Sequence, residues 1–274
     1  MTTSAATLIN EVKMIRPWLR NGIVSALIVS AGGWLSGVEA TELHALFTDM
    51  LKAYVVDGHV DYARLCEDER LDRYLSELSA TDPDALPDDA TKYAFWINAY
   101  NAFTLSAICS EYPIGSINEL HFGGRIVGHL LKKTVWDRKF IVINGEELSL
   151  NDIEHKIIRP RFKDYRAHFA LVCAAKSCPS LRSEAFEGVL LDAQLDDQGR
   201  VFFAETGKNR FDRDERVVYL SKILDWYKGD FGNDDKTVLL AVANFLPEEL
   251  ADDIREDPGA WKVRHTEYDW SLNE

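Results

Sequence analysis

Positive charge is the first thing this chain is short of: 31 Lys and Arg stand against 45 Asp and Glu, a formal net charge of −14 over 274 residues. No long basic run is present to neutralise phosphates, so nucleic acid is not an expected partner. Cysteine is scarce as well. The four, at Cys66, Cys109, Cys173 and Cys178, are too few to scaffold a chain of this length, so the core must do most of the stabilising. They allow three pairings, and their spacing does not choose among them. No internal repeat or low-complexity linker divides the sequence. At 46% hydrophobic the chain is not disordered, and it is long enough for a substantial core.

The first forty residues read as a targeting segment. Arg16 and Arg20, with no acid between Met14 and Gly37, form a positive region ahead of the apolar stretch from Ile23 to Ala31, and Val38-Glu39-Ala40 offers small residues for cleavage. Met14 is a tidier start than Met1. The apolar stretch is short for a membrane span of about 20 residues, so export to the periplasm or the medium is expected, with membrane attachment only if the segment stays uncleaved. An oxidising compartment would permit disulfides.

From residue 41 to 274 the pattern predicts a single α+β domain, many helices around a small, mainly antiparallel sheet. Leu43, Phe47, Leu51 and Tyr54 share one face of a helix, followed by a turn at Asp57-Gly58, and Asp68 to Leu78 forms a second helix. Thr91 to about Ser110 is apolar nearly all round, which marks a central buried helix. Asn98 and Asn101 interrupt it on one face, either to tie down neighbouring loops or to line a pocket. Thr134-Val135-Trp136 and Lys139 to Ile143 read as strands, with a hairpin turn at Asn144-Gly145. Ser149 and Asp152 suit a capping box for a helix that stops before Pro160. Ser183 to Thr206 reads as mostly helical, Val217 to Tyr219 as a strand, and Ser221 as a cap. Asp235 to Phe245 and Pro247 to Glu256 are two more helices, and Trp261 to Trp270 alternates like a closing strand.

The stretch from His168 to Arg182 places a short apolar run directly against two thiols. It reads as a buried strand opening into a loop, a place where rigid backbone can hold a reactive group. The ingredients of a cysteine-dependent hydrolase or acyl transferase are present: Cys173 or Cys178 as nucleophile, His155 or His168 as base, and Glu154 or an Asn to orient that base. Cys178, in the loop, suits an activated thiol better than Cys173 at the end of an apolar run. Glu154 and His155 are adjacent on a helix and point about 100° apart, so His155 toward Cys178, with Asn98 or Asn101 as amide partner, is the easier arrangement. His168 begins a buried run and reads as scaffold more than as base.

Other chemistries use the same residues. Cys173, Cys178, His155 and His168 are zinc-type ligands, but Cys-x4-Cys is a loose spacing and no H-x3-5-H pair accompanies it. A Cys173–Cys178 disulfide would silence both thiols unless a thiol-redox partner reduces it. A noncatalytic domain is the remaining reading, with a pocket for a small molecule, peptide, amine or envelope component. Seven Trp and ten Tyr suit such a pocket, and the acidic surface favours a basic ligand. No cofactor is implied.

Several long strings occur in an order that resembles the family called domain of unknown function 547. They are Ala94-Phe95-Trp96-Ile97-Asn98-Ala99-Tyr100-Asn101-Ala102, then Leu148 to His155, then His168 to Pro179, then Leu191-Asp192-Ala193-Gln194-Leu195, and last Tyr268 to Asn273. The resemblance covers the chain from about Tyr54 onward. It implies membership of a group found in exported bacterial proteins and in plant proteins, without a settled activity. It also implies a relation to papain-like or transglutaminase-like folds.

Overall fold

The computed structural model describes residues 43–121 and 134–274. The export segment expected over residues 1–40, and the glycines Gly123, Gly124 and Gly128 expected beside an apolar bridge, lie outside the described residues.

Helix α1 (Ala45–Tyr54) buries Phe47, Met50 and Leu51 at helical spacing. It runs into a hairpin of β1 (Val55–Val56) and β2 (His59–Val60). The turn residues Asp57 and Gly58 have φ of 49° and 79°, the left-handed pair that a two-residue hairpin turn requires. Helix α2 (Tyr62–Leu65) is capped by Asp61, and α3 (Arg70–Ala80) turns Leu71, Tyr74 and Leu78 inward. Helix α4 (Asp89–Cys109) starts at Asp88, whose carboxylate accepts the Thr91 N–H at 2.7 Å, and it is buried without a break from Tyr93 to Leu105. Its last residue, Cys109, forms a disulfide with Cys66, which resolves the pairing that spacing left open.

Thr134-Val135-Trp136 is not a strand. Asp137 accepts from both the Thr134 N–H (3.1 Å) and hydroxyl (2.6 Å), which curls Val135–Asp137 into a 3-10 turn. The hairpin of β3 (Ile141–Ile143) and β4 (Glu146–Leu148) forms around Asn144-Gly145 as expected. Ser149 and Asp152 make the reciprocal cap, with bonds of 2.9 and 3.1 Å. The helix that follows does not stop before Pro160. Asp152–Ile158 is wound as a π-helix, with the Arg159 N–H bonded to the Glu154 carbonyl, and α5 (Arg159–Phe162) continues from it. The wider turn seats a residue that has no N–H to give.

The apolar run from His168 is also not a strand. Helix α6 (Ala167–Ala170) is one turn, and the chain then extends without a strand neighbour. The Asn101 side chain takes the place of a neighbour, donating to the Ala170 carbonyl and accepting the Val172 N–H, both at 2.9 Å. Side chains likewise hold the irregular segment before α7 (Leu191–Ala204), so the helix begins later than Ser183. Asn98 bonds both backbone groups of Phe186, and Gln194 bonds the Glu187 N–H and the Ala185 carbonyl.

Strands β5 (Arg210–Asp212) and β6 (Val217–Leu220) are antiparallel, and β7 (Lys262–His265) joins β6 in parallel. Between them run α8 (Lys222–Trp226), capped by Ser221, α9 (Lys228–Phe231), α10 (Asp235–Val242) and α11 (Glu248–Glu256). The closing strand ends at His265 rather than Trp270. Two apolar clusters result, a larger one around α4 and a smaller one built on Phe169, Phe202, Phe203 and Phe245, and Tyr268 packs against both. The α+β class read from the sequence is the class observed.

Candidate functional site

The loop from Cys173 to Cys178 is gripped from two sides. Asn101 of α4 holds the backbone just before it. The C-terminal segment holds the loop itself: Lys176 N–H donates to the Ser271 carbonyl (2.9 Å), Ser177 N–H to the Asp269 carbonyl (3.2 Å), and Asn273 N–H to the Ala174 carbonyl (3.2 Å). Within this grip Ala174 is left-handed, with φ of 58°. Such a conformation costs a residue with a Cβ about 1–2 kcal/mol, and strain of this kind gathers where surroundings impose a working geometry. The turn closes with the Cys178 N–H on the Ala175 carbonyl at 2.9 Å.

That turn brings the two free thiols together, Sγ to Sγ at 2.8 Å. The Cys173 N–H also donates to Cys178 Sγ at 2.8 Å, and the Tyr268 hydroxyl lies 3.1 Å from Cys173 Sγ. Burial pushes the Cys178 thiol up. The thiol and N–H donors of Cys173, the Tyr268 hydroxyl and the charge of Lys208 together outweigh it and bring Cys178 below the ordinary thiol value. Cys173 moves the opposite way, because its proton is held by Cys178 and because it is buried. The pair is thus unequal, with Cys173 the proton donor and Cys178 the more acidic thiol.

Both sulfurs face a cavity of about 590 Å³. Its walls are aromatic: Tyr100 from α4, Trp136 from the 3-10 turn, Trp226 and Tyr227 from the end of α8, and Tyr268 and Trp270 from the C-terminal segment. Glu154, Asp137 and His168 supply polar edges. Asp137 has both oxygens occupied, by Thr134 and by Asn151 at 2.7 Å.

The sequence-nominated residues divide. Cys173, Cys178, Glu154 and His168 meet at the cavity, whereas His155, Asn98 and Asn101 are not among its lining residues. Both asparagines spend their amides on backbone. His155 points its Nδ1 at Arg159, 3.0 Å away, with Glu154 Oε1 at 3.8 Å, so neighbours on this wide helix do approach one another. His168 is buried, stacked on Tyr227 with centroids 4.0 Å apart, and its Nε2 lies 2.8 Å from Asp230 Oδ2. Burial lowers its pKa against the pull of Asp230. Asp230 is in turn held low, first by Arg159, which donates to it twice at 2.6 and 2.9 Å. Among the described residues no His is hydrogen-bonded to either thiol, and no three His, Cys, Asp or Glu side chains are grouped to hold a metal.

Asp230, Trp226 and Tyr268 were not nominated from the sequence. Asp230 has no local signal, since its partners are far away in the chain. The aromatic alternation of Tyr268-Asp269-Trp270 was visible, but it suggested a strand. No curated protein and no solved structure matches the chain. Residues 83–203, from the turn before α4 through the thiol loop to α7, match the model of the family described as "Protein of unknown function, DUF547", and over that stretch the chain is a DUF547 domain.

Proposed function

We propose that this protein works through thiol chemistry, with Cys178 as the nucleophilic thiolate and Cys173 as its proton donor and resolving thiol. The supporting observation is the 2.8 Å contact between the sulfurs, to which the Cys173 N–H adds a second donor. A partner thiol this close suits thiol–disulfide exchange. Cys178 Sγ⁻ attacks one sulfur of a substrate disulfide, forming a mixed disulfide and releasing the other half as thiolate. Cys173 then gives its proton to the released thiolate and attacks Cys178 Sγ, which closes Cys173–Cys178 and expels the second half as thiolate. The substrate gains two electrons, the protein loses them, and a reducing dithiol partner returns them.

Cysteine-dependent hydrolysis or acyl transfer is the second reading, favoured by the His168–Asp230 pair on the same cavity. It ranks lower because the histidine nitrogen with a defined partner faces Asp230 rather than a thiol. We also propose that the protein is exported to the periplasm or the medium. The segment over residues 1–40 supports this, and the Cys66–Cys109 disulfide suits an oxidising compartment.

The test is equilibration in glutathione buffers of graded potential, followed by acid quench, alkylation and mass spectrometry. Exchange chemistry predicts a reversible two-electron transition confined to the peptide carrying Cys173 and Cys178. No transition, together with Cys178-dependent turnover of a p-nitrophenyl ester, would move the assignment to the hydrolase reading.

A further inference from the structure

The cavity beside the thiols contains a buried carboxyl group that exchange chemistry does not use. Glu154 is 6% exposed, and a carboxylate so far removed from water needs a counter-charge. Its neighbours supply little. The Tyr227 hydroxyl lies nearby, His155 Nδ1 stands at 3.8 Å, and the Arg159 guanidinium, whose charge also acts on Glu154, gives its hydrogen bonds to Asp230. None of the described residues lining the cavity is Lys or Arg, and burial favours neutral His168.

The aromatic walls complete the arrangement. Trp136 and Trp270 have centroids 5.8 Å apart at 60°, and Trp226 and Tyr268 are 4.8 Å apart at 48°. Trp226 and Trp270 are themselves stacked, centroids 5.8 Å apart at 23°, and Tyr268 lies 4.5 Å from Trp270, so the ring faces that stay open are those at the half-exposed Trp226 end. Such faces attract a cation within about 6 Å of the ring centre. Trp226, 47% exposed, places one at the mouth, and the net charge of −14 draws cations toward the protein.

We infer that the substrate carries an organic ammonium group, held by Glu154 and the exposed face of Trp226, beside the sulfur–sulfur bond that Cys178 attacks. The inference rests on the thiol-exchange reading for its reaction but not for its binding.

Two measurements test it separately. The full chain carrying Cys178→Ser is titrated with choline and with its uncharged isostere 3,3-dimethylbutan-1-ol, followed by tryptophan fluorescence. Choline should bind saturably and about tenfold tighter than the alcohol. Glu154→Gln should abolish most of that preference, and so should Trp226→Ala, whose side chain lies outside the core. Equal affinity for the two compounds, or saturable binding of neither, overturns the inference.

Reduced wild-type protein is then offered cystamine, bis(2-hydroxyethyl) disulfide and dithiodiglycolate. Each rate is divided by that of the same disulfide with free mercaptoethanol, and the quotients should fall in that order. Choline selectivity without reaction of any disulfide would sink the exchange reading and leave the ammonium site standing. Reaction with all three disulfides regardless of charge would sink the ammonium substrate and leave exchange standing.

Discussion

Replacing Asn101 with alanine should loosen the thiol loop without touching a sulfur. The side chain is 3% exposed and makes two bonds of 2.9 Å, to the Ala170 carbonyl and the Val172 N–H. Ala170 and Val172 are themselves buried, so water does not readily replace the amide. Each backbone group left unpaired in such a place costs about 1–3 kcal/mol, giving roughly 2–6 kcal/mol for the two. In a domain of this size that lowers Tm by roughly 5–15 °C. Urea denaturation should show a lower midpoint with an unchanged slope, and Asn244→Ala, an exposed control, should stay within about 0.5 kcal/mol of wild type. A loss below about 1 kcal/mol for Asn101→Ala would refute the assignment of Asn101 as the clamp that replaces a strand neighbour.

Removing the Cys66–Cys109 disulfide as the double alanine variant frees a loop closed across 43 positions. It should cost about 4 kcal/mol by the loop-entropy relation, read as a shift in urea midpoint. His44, bonded to Tyr74 at 2.7 Å, is lowered by burial from 6.5 to about 4. Its unfolded form binds the proton first, so stability is full above pH 6.5, falls by about 3 kcal/mol as pH drops toward 4, and levels off below. His44→Gln should flatten that window in acid titrations of ΔG, and an unchanged slope would contradict the burial argument. Asp230→Asn should weaken the hold of Arg159 and His168 on each other's position, raising the His168 pKa deficit as read by NMR titration. Loss of the carboxylate removes the interaction that favours the charged imidazole.

Local patterns that depend on neighbours in sequence were legible. The central burial of α4, the Asp57-Gly58 and Asn144-Gly145 turns and the Ser149–Asp152 cap all formed as read. Patterns decided by distant partners were not. His168 to Cys173 has strand composition, yet a side chain from α4 supplied the hydrogen bonds a sheet would have given. Pro160 reads as a stop, yet a π-turn ahead of it removed the conflict. Cys178 was visible as the loop thiol, whereas its contact with Cys173 required the left-handed Ala174 and the tail from Asp269 to Asn273. Histidine as the activating group was the expectation from residue types, and the geometry favours the second cysteine.

The most direct test of that point is the pH dependence of iodoacetamide labelling, resolved by peptide mass spectrometry for the wild type and for Cys173→Ala. With Cys173 as donor, Cys178 labels first and with a midpoint below the ordinary thiol value of 9.0, and Cys173→Ala moves that midpoint upward. Labelling of Cys173 before Cys178, or a Cys178 midpoint that Cys173→Ala leaves in place, would contradict the account.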